Sequence, residues 1–313
     1  MRLDLPRRSL LSAGVALAIA PRAAGAAPSG PGISITIDDF SLADTPLLTG
    51  LERDAAIRQA LNRHGVKAAG FVAGKYVDTE RSPRVLSAWS NEGHILGNHS
   101  FSHDYYSGKD PAGPALMMAD ILKCEPLLTP YAGFRKLFRY PYLAEGRTAA
   151  GRDALRALLR DHGYRIAPVT IDTSDWYVDS RFTARLAADP HADIAPYRRY
   201  WLDHIWDRAK FYDGLAQAVF GHSLDHTILL HHRLTTGLFL SDGLTMFRER
   251  GWRLIDAEAA LAEPDLGRSY DTLPAGQSLV WAAAKASGRF EGVLRYPGED
   301  DTYEKARMEA LGL

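Results

Sequence analysis

His99 and His103 lie four residues apart in the segment Asn98-His99-Ser100-Phe101-Ser102-His103. At that spacing two imidazoles share one face of a helical turn and can chelate a single divalent cation. Two adjacent aspartates, Asp38-Asp39, end a run that alternates apolar and polar residues. Neighbouring side chains at a strand end point in different directions, so one carboxylate can join the histidines while the other acts as a base. Asp39 with His99 and His103 would give a His/His/Asp set with a position open to water, the arrangement of a catalytic rather than a structural zinc. Three further clusters carry reactive types. In Phe138-Arg139-Tyr140-Pro141-Tyr142 a guanidinium can hold a carboxylate ionised, and a backbone N–H beside the proline can donate to an oxyanion. Asp172-Thr173-Ser174-Asp175-Trp176 and Leu229-Leu230-His231-His232 supply carboxylates and a histidine that ends an apolar run, a general acid with its orienting partner. Each cluster alone has a plainer reading: aspartates cap helices and turns, and histidines are often satisfied structural residues. A second His-x-x-x-His, His222 and His226, straddles a predicted helix end and strand start, so its two rings should not share a face.

Four of the five clusters fall at the C-terminal ends of predicted strands, where α/β barrels build their sites. Residues 33–37, 68–72, 94–97, 166–171, 227–230 and 252–255 read as strands. Residues 53–64, 83–91, 116–128, 151–161 and 244–250 read as helices. This alternation predicts a parallel sheet or barrel. Two segments break the rhythm. Within 177–226, residues 196–220 read as one helix carrying Tyr197, Tyr200, Trp201, Trp206, Phe211 and Tyr212. Aromatics at helical spacing are more often packing than sugar-stacking surfaces. The tail, 264–313, carries turn signals and no assignable chemistry.

With 313 residues, 46% apolar and 24% charged, the chain can build one large α/β barrel without covalent staples. Its formal net charge of −1 gives no reason to expect a nucleic-acid partner. The single cysteine, Cys124, excludes an intramolecular disulfide and a cysteine-rich cage, so any metal must be held by histidine and carboxylate. Arg7-Arg8, an apolar run from Ala13 to Ala20 and Ala24-Gly25-Ala26 read as a signal peptide of the twin-arginine type over residues 1–26. The expected protein is therefore exported, periplasmic or secreted, with no stable membrane anchor after cleavage; an uncleaved membrane anchor is the alternative reading of the segment.

In order, the five clusters resemble the five motifs of the polysaccharide deacetylase family (carbohydrate esterase family 4, the Nod-factor deacetylase homology domain). That family usually shows T-F-D-D-G, H-S/T-x-x-H, R-x-P-Y-G, D-x-x-D-W and L-x-H. Here the first motif reads Thr36-Ile37-Asp38-Asp39-Phe40. Connecting text is similar too: His64-Gly65-Val66-Lys67-Ala68, Glu92-Gly93-His94 before Gly97-Asn98, and Gly163-Tyr164 before the fourth motif. The resemblance covers roughly Ile33 to Ala260, which bounds a catalytic domain at 31–262 and leaves 263–313 as a C-terminal extension. It implies an α/β fold, an irregular (β/α) barrel of the deacetylase type, here with a helical insertion. It implies Asp38 as catalytic base, and Asp39, His99 and His103 as ligands of a divalent metal, zinc by default. It implies Arg139 as the residue orienting the base, the Tyr142 backbone N–H as oxyanion donor, His231 as catalytic acid, Asp175 as its partner and Trp176 as a wall of the acetate pocket. The implied reaction is removal of N-acetyl groups from an amino-sugar polymer or oligosaccharide. A non-sugar amide or O-acetyl ester on the same scaffold, or a non-catalytic carbohydrate-binding protein, are the alternatives. Three departures matter: Phe40 and Leu143 replace usual glycines, and 177–226 is long. All three are expected to change the cleft walls, and hence the substrate rather than the reaction.

Overall fold

The computed structural model of the protein describes residues 30–313, so the segment expected to be an export signal lies outside the described residues. The described strands are β1 Gly32–Asp39, β2 Ala69–Val72, β3 Ile95–Asn98, β4 Phe134–Phe138, β5 Ala144–Gly146, β6 Arg165–Ile166, β7 Asp225–His231, β8 Arg253–Leu254 and β9 Ala275–Gly276. Seven of them form one parallel sheet in the order β6-β4-β3-β2-β1-β7, with β8 on the start of β1. The helices are α1 Gly50–His64, α2 Gly74–Val77, α3 Ser82–Asn91, α4 Gly113–Cys124, α5 Ala149–Asp161, α6 Asp175–Ala188, α7 Ala195–Phe220, α8 Leu234–Glu249, α9 Ala257–Ala260, α10 Leu279–Ser287 and α11 Asp301–Ala310.

β1 alternates in sequence, yet all eight of its residues are buried. Ile33, Ile35 and Ile37 pack into the main core shared with the helices. Ser34, Thr36 and Asp38 take the opposite face, inside the curl of the sheet. Thr36 Oγ1 there donates to the Ile228 carbonyl at 2.8 Å. A polar face on a strand therefore marks the barrel interior here, not solvent.

The strand expected over 166–171 is broken. Only Arg165–Ile166 pair with β4, whereas Ile171 bridges Ile228 of β7. Pro168 lies between them and has no N–H to give a ladder. The chain leaves one edge of the sheet and docks on the other: the N–H groups of Thr170 and Ile171 both donate to the Thr227 carbonyl, at 3.1 and 3.0 Å. That crossing closes the curl into an incomplete barrel.

The two segments that broke the rhythm fold on each other. Tyr197, Tyr200, Trp201 and Tyr212 of α7 are buried in the same core as Leu279, Val280, Trp281 and Ala284 of α10. The tail also adds β9 to β5 as an antiparallel pair. At that crossing Gly276 has φ 103°, and a Cβ on it would meet the Leu143 carbonyl oxygen at 2.0 Å, so only glycine fits.

Candidate active site

The parallel register decides which side chains meet. Asp38 pairs with His231 across β1 and β7, and Asp39 with Val72 across β1 and β2. Val72 in turn pairs with Asn98 on β3, and Asn98 with Phe138 on β4. The residues that follow these strand ends, His99 and Arg139, thus arrive at the same end of the sheet as the two aspartates. One cleft of about 440 Å³ is lined by Asp38, Asp39, His99, His103, Tyr142 and His231, and Trp176 and Asp172 also face it. The structure brings Asp175 and Arg139 together with them just beneath the surface of the cleft.

Asp39, His99 and His103 offer ligand atoms within 4.8 Å of one another, and they are the one such group among the described residues. Asp39 Oδ1 lies 3.2 Å from His103 Nε2 and 3.8 Å from His99 Nε2. That oxygen is buried and accepts no hydrogen bond, an unmet polar atom of the kind a cation satisfies. His99 Nδ1 lies 2.7 Å from the Arg139 carbonyl, which fixes the ring with its Nε2 lone pair toward Asp39. Burial, then the neighbouring His103, pushes the His99 pKa down to about 3, so the ring is the neutral species a metal needs. Burial alone would raise the Asp39 carboxyl. The adjacent His103 ring and the positive charge of His231 overcome it and hold Asp39 well below the usual carboxylate range. The donor set fits a divalent cation.

The helical turn expected over 99–103 is absent. Ser100 and His103 both have left-handed backbones, with φ 62° and 54°. The Asp120 carboxylate accepts the N–H groups of Phe101 and Ser102 at 3.0 and 2.9 Å, and Ser100 Oγ accepts that of His103 at 3.1 Å. The two rings converge, centroids 4.8 Å apart, through a pinned loop rather than through helical periodicity.

Asp38 and His231 form the second half of the site. Arg139 Nη1 lies 3.4 Å from both oxygens of Asp38, while its Nε donates to the Ala167 carbonyl at 2.7 Å and its plane rests on Phe71. Burial raises the Asp38 pKa to about 6 against the pull of Arg139. Asp175, in the first turn of α6, accepts from the His231 backbone N–H at 2.8 Å, and its other oxygen lies 2.7 Å from His231 Nδ1. The ring proton on that side is therefore engaged, and Nε2 is left for the cleft. Burial works against a charged His231, but the Asp175 carboxylate prevails and raises its pKa to about 9. The next residue, His232, points the other way, onto Phe40.

Seven described non-glycine residues have positive φ: Asp39, Phe40, Ser100, His103, Tyr142, Leu143 and Gln277. The first six belong to the loops that carry the site, and Gln277 lines the same cleft. Such backbones cost roughly 1–3 kcal/mol each and persist where the surroundings over-determine them. Tyr142 follows Pro141 in this conformation, with its ring 4.9 Å from that of His103. Of the two residues standing at usual glycine positions, Leu143 lines the cleft. Phe40 does not. It is fully buried below the cleft, edge-on to Trp89 at 4.8 Å, so the expectation that it alters the cleft wall is corrected.

His222 and His226 do not converge. His226 is buried between Thr170 Oγ1 and Asp213, at 3.0 and 3.1 Å, and His222 is exposed beside Asp265. Sequence reasoning missed other cleft residues. Asp172 stood in a quoted motif without a role; burial, and then the charge of Glu299, raise its pKa well above the usual range. Arg233, two residues past His231, reaches Asp39 Oδ2 at 3.4 Å. Tyr296, Glu299 and Asp300 come from the tail. No spacing or motif ties residues near 296 to strand ends more than sixty residues earlier.

The polysaccharide deacetylase family model matches residues 25–167. A curated relative, the peptidoglycan-N-acetylglucosamine deacetylase of Bacillus cereus, is 29% identical over 130 residues, 40% of this chain and 42% of that protein. The chain thus matches about two fifths of the length of that relative. Among solved structures, the polysaccharide deacetylase Bc1974 from Bacillus cereus aligns with TM-score 0.51 and 19% identity, over 72% of this chain and 92% of that one. BA3943 from Bacillus anthracis, a CE4 family pseudoenzyme, aligns with TM-score 0.50 and 18% identity, over 75% of this chain and 66% of that one. At these identities the structural matches establish the fold: a parallel, curled partial barrel wrapped by helices.

Proposed function

We propose, from the match of residues 25–167 to the polysaccharide deacetylase family model, that the protein is a metal-dependent hydrolase removing N-acetyl groups from an amino-sugar polymer or oligosaccharide. The observation that carries the reading is the pairing of Asp38 with His231 on adjacent strands, each held by its own buried partner, beside the Asp39/His99/His103 set. A binding protein needs the ligand set at most; it has no use for a base and an acid facing one substrate position.

Asp39, His99 and His103 would hold the cation, with zinc the default for this donor set. When bound, the metal supplies Lewis acidity to the scissile carbonyl and lowers the pKa of water. Asp38 accepts the proton of the attacking water. With a pKa near 6 it is ionised at neutral pH, yet basic enough to take that proton. Arg139 keeps its carboxylate turned into the cleft. The backbone N–H of Tyr142 donates to the oxyanion that develops as the carbonyl becomes tetrahedral, a contribution of about 3 kcal/mol for one such donor. His231 gives its Nε2 proton to the departing amine, without which the intermediate reverts to amide. Trp176 walls the acetyl group. A non-sugar amide or an O-acetyl ester would use the same groups, so substrate choice separates those readings.

The test is acetate release from N-acetylglucosamine oligomers by metal-loaded protein, with metal content determined on each variant. Wild-type protein should release acetate, and Asp38→Asn should retain metal and lose turnover. Wild-type rate in Asp38→Asn with metal bound would refute the mechanism even with the fold intact.

A further inference from the structure

Among the described residues, the large aromatic side chains that are well exposed number four: Tyr105 at 46%, Tyr142 at 60%, Trp176 at 36% and Tyr296 at 43%. All four line the cleft that holds the candidate acid, base and metal ligands. Elsewhere the described aromatics are buried or partly buried; on α7, Tyr197, Tyr200, Trp201 and Tyr212 are buried and Trp206 and Phe211 partly so. Exposed aromatic surface gathered in one concave place marks a ligand surface. Trp176 already has a role at the acetyl group, so the other three are unaccounted for.

The three tyrosines form one rim. The rings of Tyr105 and Tyr142 are 5.9 Å apart, and Tyr142 leans on the metal-ligand candidate His103. Arg147 Nε donates to the Tyr105 hydroxyl at 3.1 Å. Tyr296 joins this group from the tail. It lines the same cleft as Tyr105 and Arg147. Tyr296 is also held from behind, its ring 6.0 Å from buried Trp281, whose indole N–H donates to the Arg295 carbonyl at 2.7 Å. Three residues on, the tail is fastened to the insertion: Glu299 accepts from Arg208 at 3.0 Å and from Tyr212 at 3.3 Å. The tail segment is thus a braced wall and not a loose cover.

The chemistry of this wall selects among ligand classes. An acyl chain needs continuous apolar lining, which the cleft lacks, because Arg147, Arg233, Glu299 and Asp300 interrupt it. A pyranose ring has apolar C–H faces and a hydroxyl edge, and it matches flat aromatic faces bordered by charged hydrogen-bonding groups. The cleft volume of about 440 Å³ lies within the usual small-ligand range and exceeds what an acetamido group alone would fill. We propose that the C-terminal extension supplies the sugar-reading wall of this cleft, with the Tyr296 ring as a stacking surface for a sugar unit flanking the acetylated one.

This rests on the amino-sugar reading above, and the experiment separates the two. Tyr296→Ala, Tyr296→Phe and wild-type protein are compared on an N-acetylglucosamine hexamer and on 4-nitrophenyl acetate, with metal content measured on each. The ratio of kcat/KM for hexamer over ester should fall about tenfold in Tyr296→Ala, the loss appearing in KM. Tyr296→Phe keeps the ring face and should keep the ratio. An unchanged ratio in Tyr296→Ala, or an equal loss on both substrates, overturns the proposal while the deacetylase reading stands. Ester hydrolysis by wild-type protein with no acetate released from any acetylated sugar overturns the amino-sugar reading, and the role of the wall with it.

Discussion

At the residue scale, what each reactive group of the candidate site can do is set by the residue that holds it: Arg139 for Asp38 and Asp175 for His231. Carboxylates and histidines at strand ends are few, and their order along the chain narrowed the roles further. The structure adds the partner of each group, which spacing could not give. Asp175 holds His231 through both a backbone N–H and the ring. That contact makes the acid testable. With a pKa raised to about 9 by Asp175 against burial, His231 is protonated through the neutral range, and amide hydrolysis should fall as pH rises through about 9. Asp175→Asn removes the carboxylate charge, so the upper limb of kcat/KM against pH should move down toward the ordinary histidine value near 6.5. His231→Ala should cost about 10²–10⁴-fold on an amide and much less on 4-nitrophenyl acetate, whose leaving group needs no proton. Equal losses on both substrates would show that His231 is not the acid.

At the element scale, the sequence reading erred where tertiary contact overrode local preference. The helix expected over 244–250 is longer in the structure, where α8 begins at Leu234. Thr235, Thr236, Gly237 and Gly243 are weak helix formers. The two glycines are there because neighbours come close: a Cβ on Gly243 would sit 3.2 Å from the Trp201 ring, and one on Gly237 2.9 Å from Arg53. Phe40 is a similar case. Its left-handed backbone, φ 63°, favours glycine, but its ring fills the space a side chain on Gly70 would need; a Cβ there would lie 2.3 Å from the ring. The two effects oppose each other. Relief of the left-handed backbone is worth about 1–2 kcal/mol, whereas emptying a buried phenylalanine site costs about 3–5 kcal/mol. Packing wins, so Phe40→Gly should destabilise the protein by about 1–4 kcal/mol in urea unfolding. A more stable Phe40→Gly would mean that the backbone strain dominates.

At the scale of the whole molecule, the insertion and the tail, each uninformative alone, form one unit that reaches the partner of the proposed acid. Glu304 of α11 is buried, within hydrogen-bond reach of the Tyr200 hydroxyl and 3.3 Å from His204 Nδ1. His204 Nε2 accepts the Ser174 backbone N–H at 2.9 Å, which places the ring proton on Nδ1, facing Glu304. Ser174 immediately precedes Asp175, the partner of His231. The start of α6 is therefore anchored through α7 to a carboxylate more than a hundred residues later, a link that no local pattern encodes. Its energetic signature follows from the proton affinity of Glu304. Burial would raise that pKa, but the hydrogen bonds from His204 and Tyr200 prevail and lower it to about 2. A carboxyl more acidic when folded than unfolded adds stability above its unfolded pKa, about 4.5, and loses it as pH falls toward the folded value. Hydrogen bonds to a buried charged group are worth about 1.5–3 kcal/mol. Glu304→Gln should thus be less stable than wild type by about 2–3 kcal/mol at pH 7, measured by urea unfolding. The gap should narrow steadily from pH 4.5 toward pH 2, as the wild-type carboxyl takes up its proton and comes to resemble the amide. A gap that stays constant with pH would assign the loss to packing and remove Glu304 as the charged anchor of the insertion and the tail.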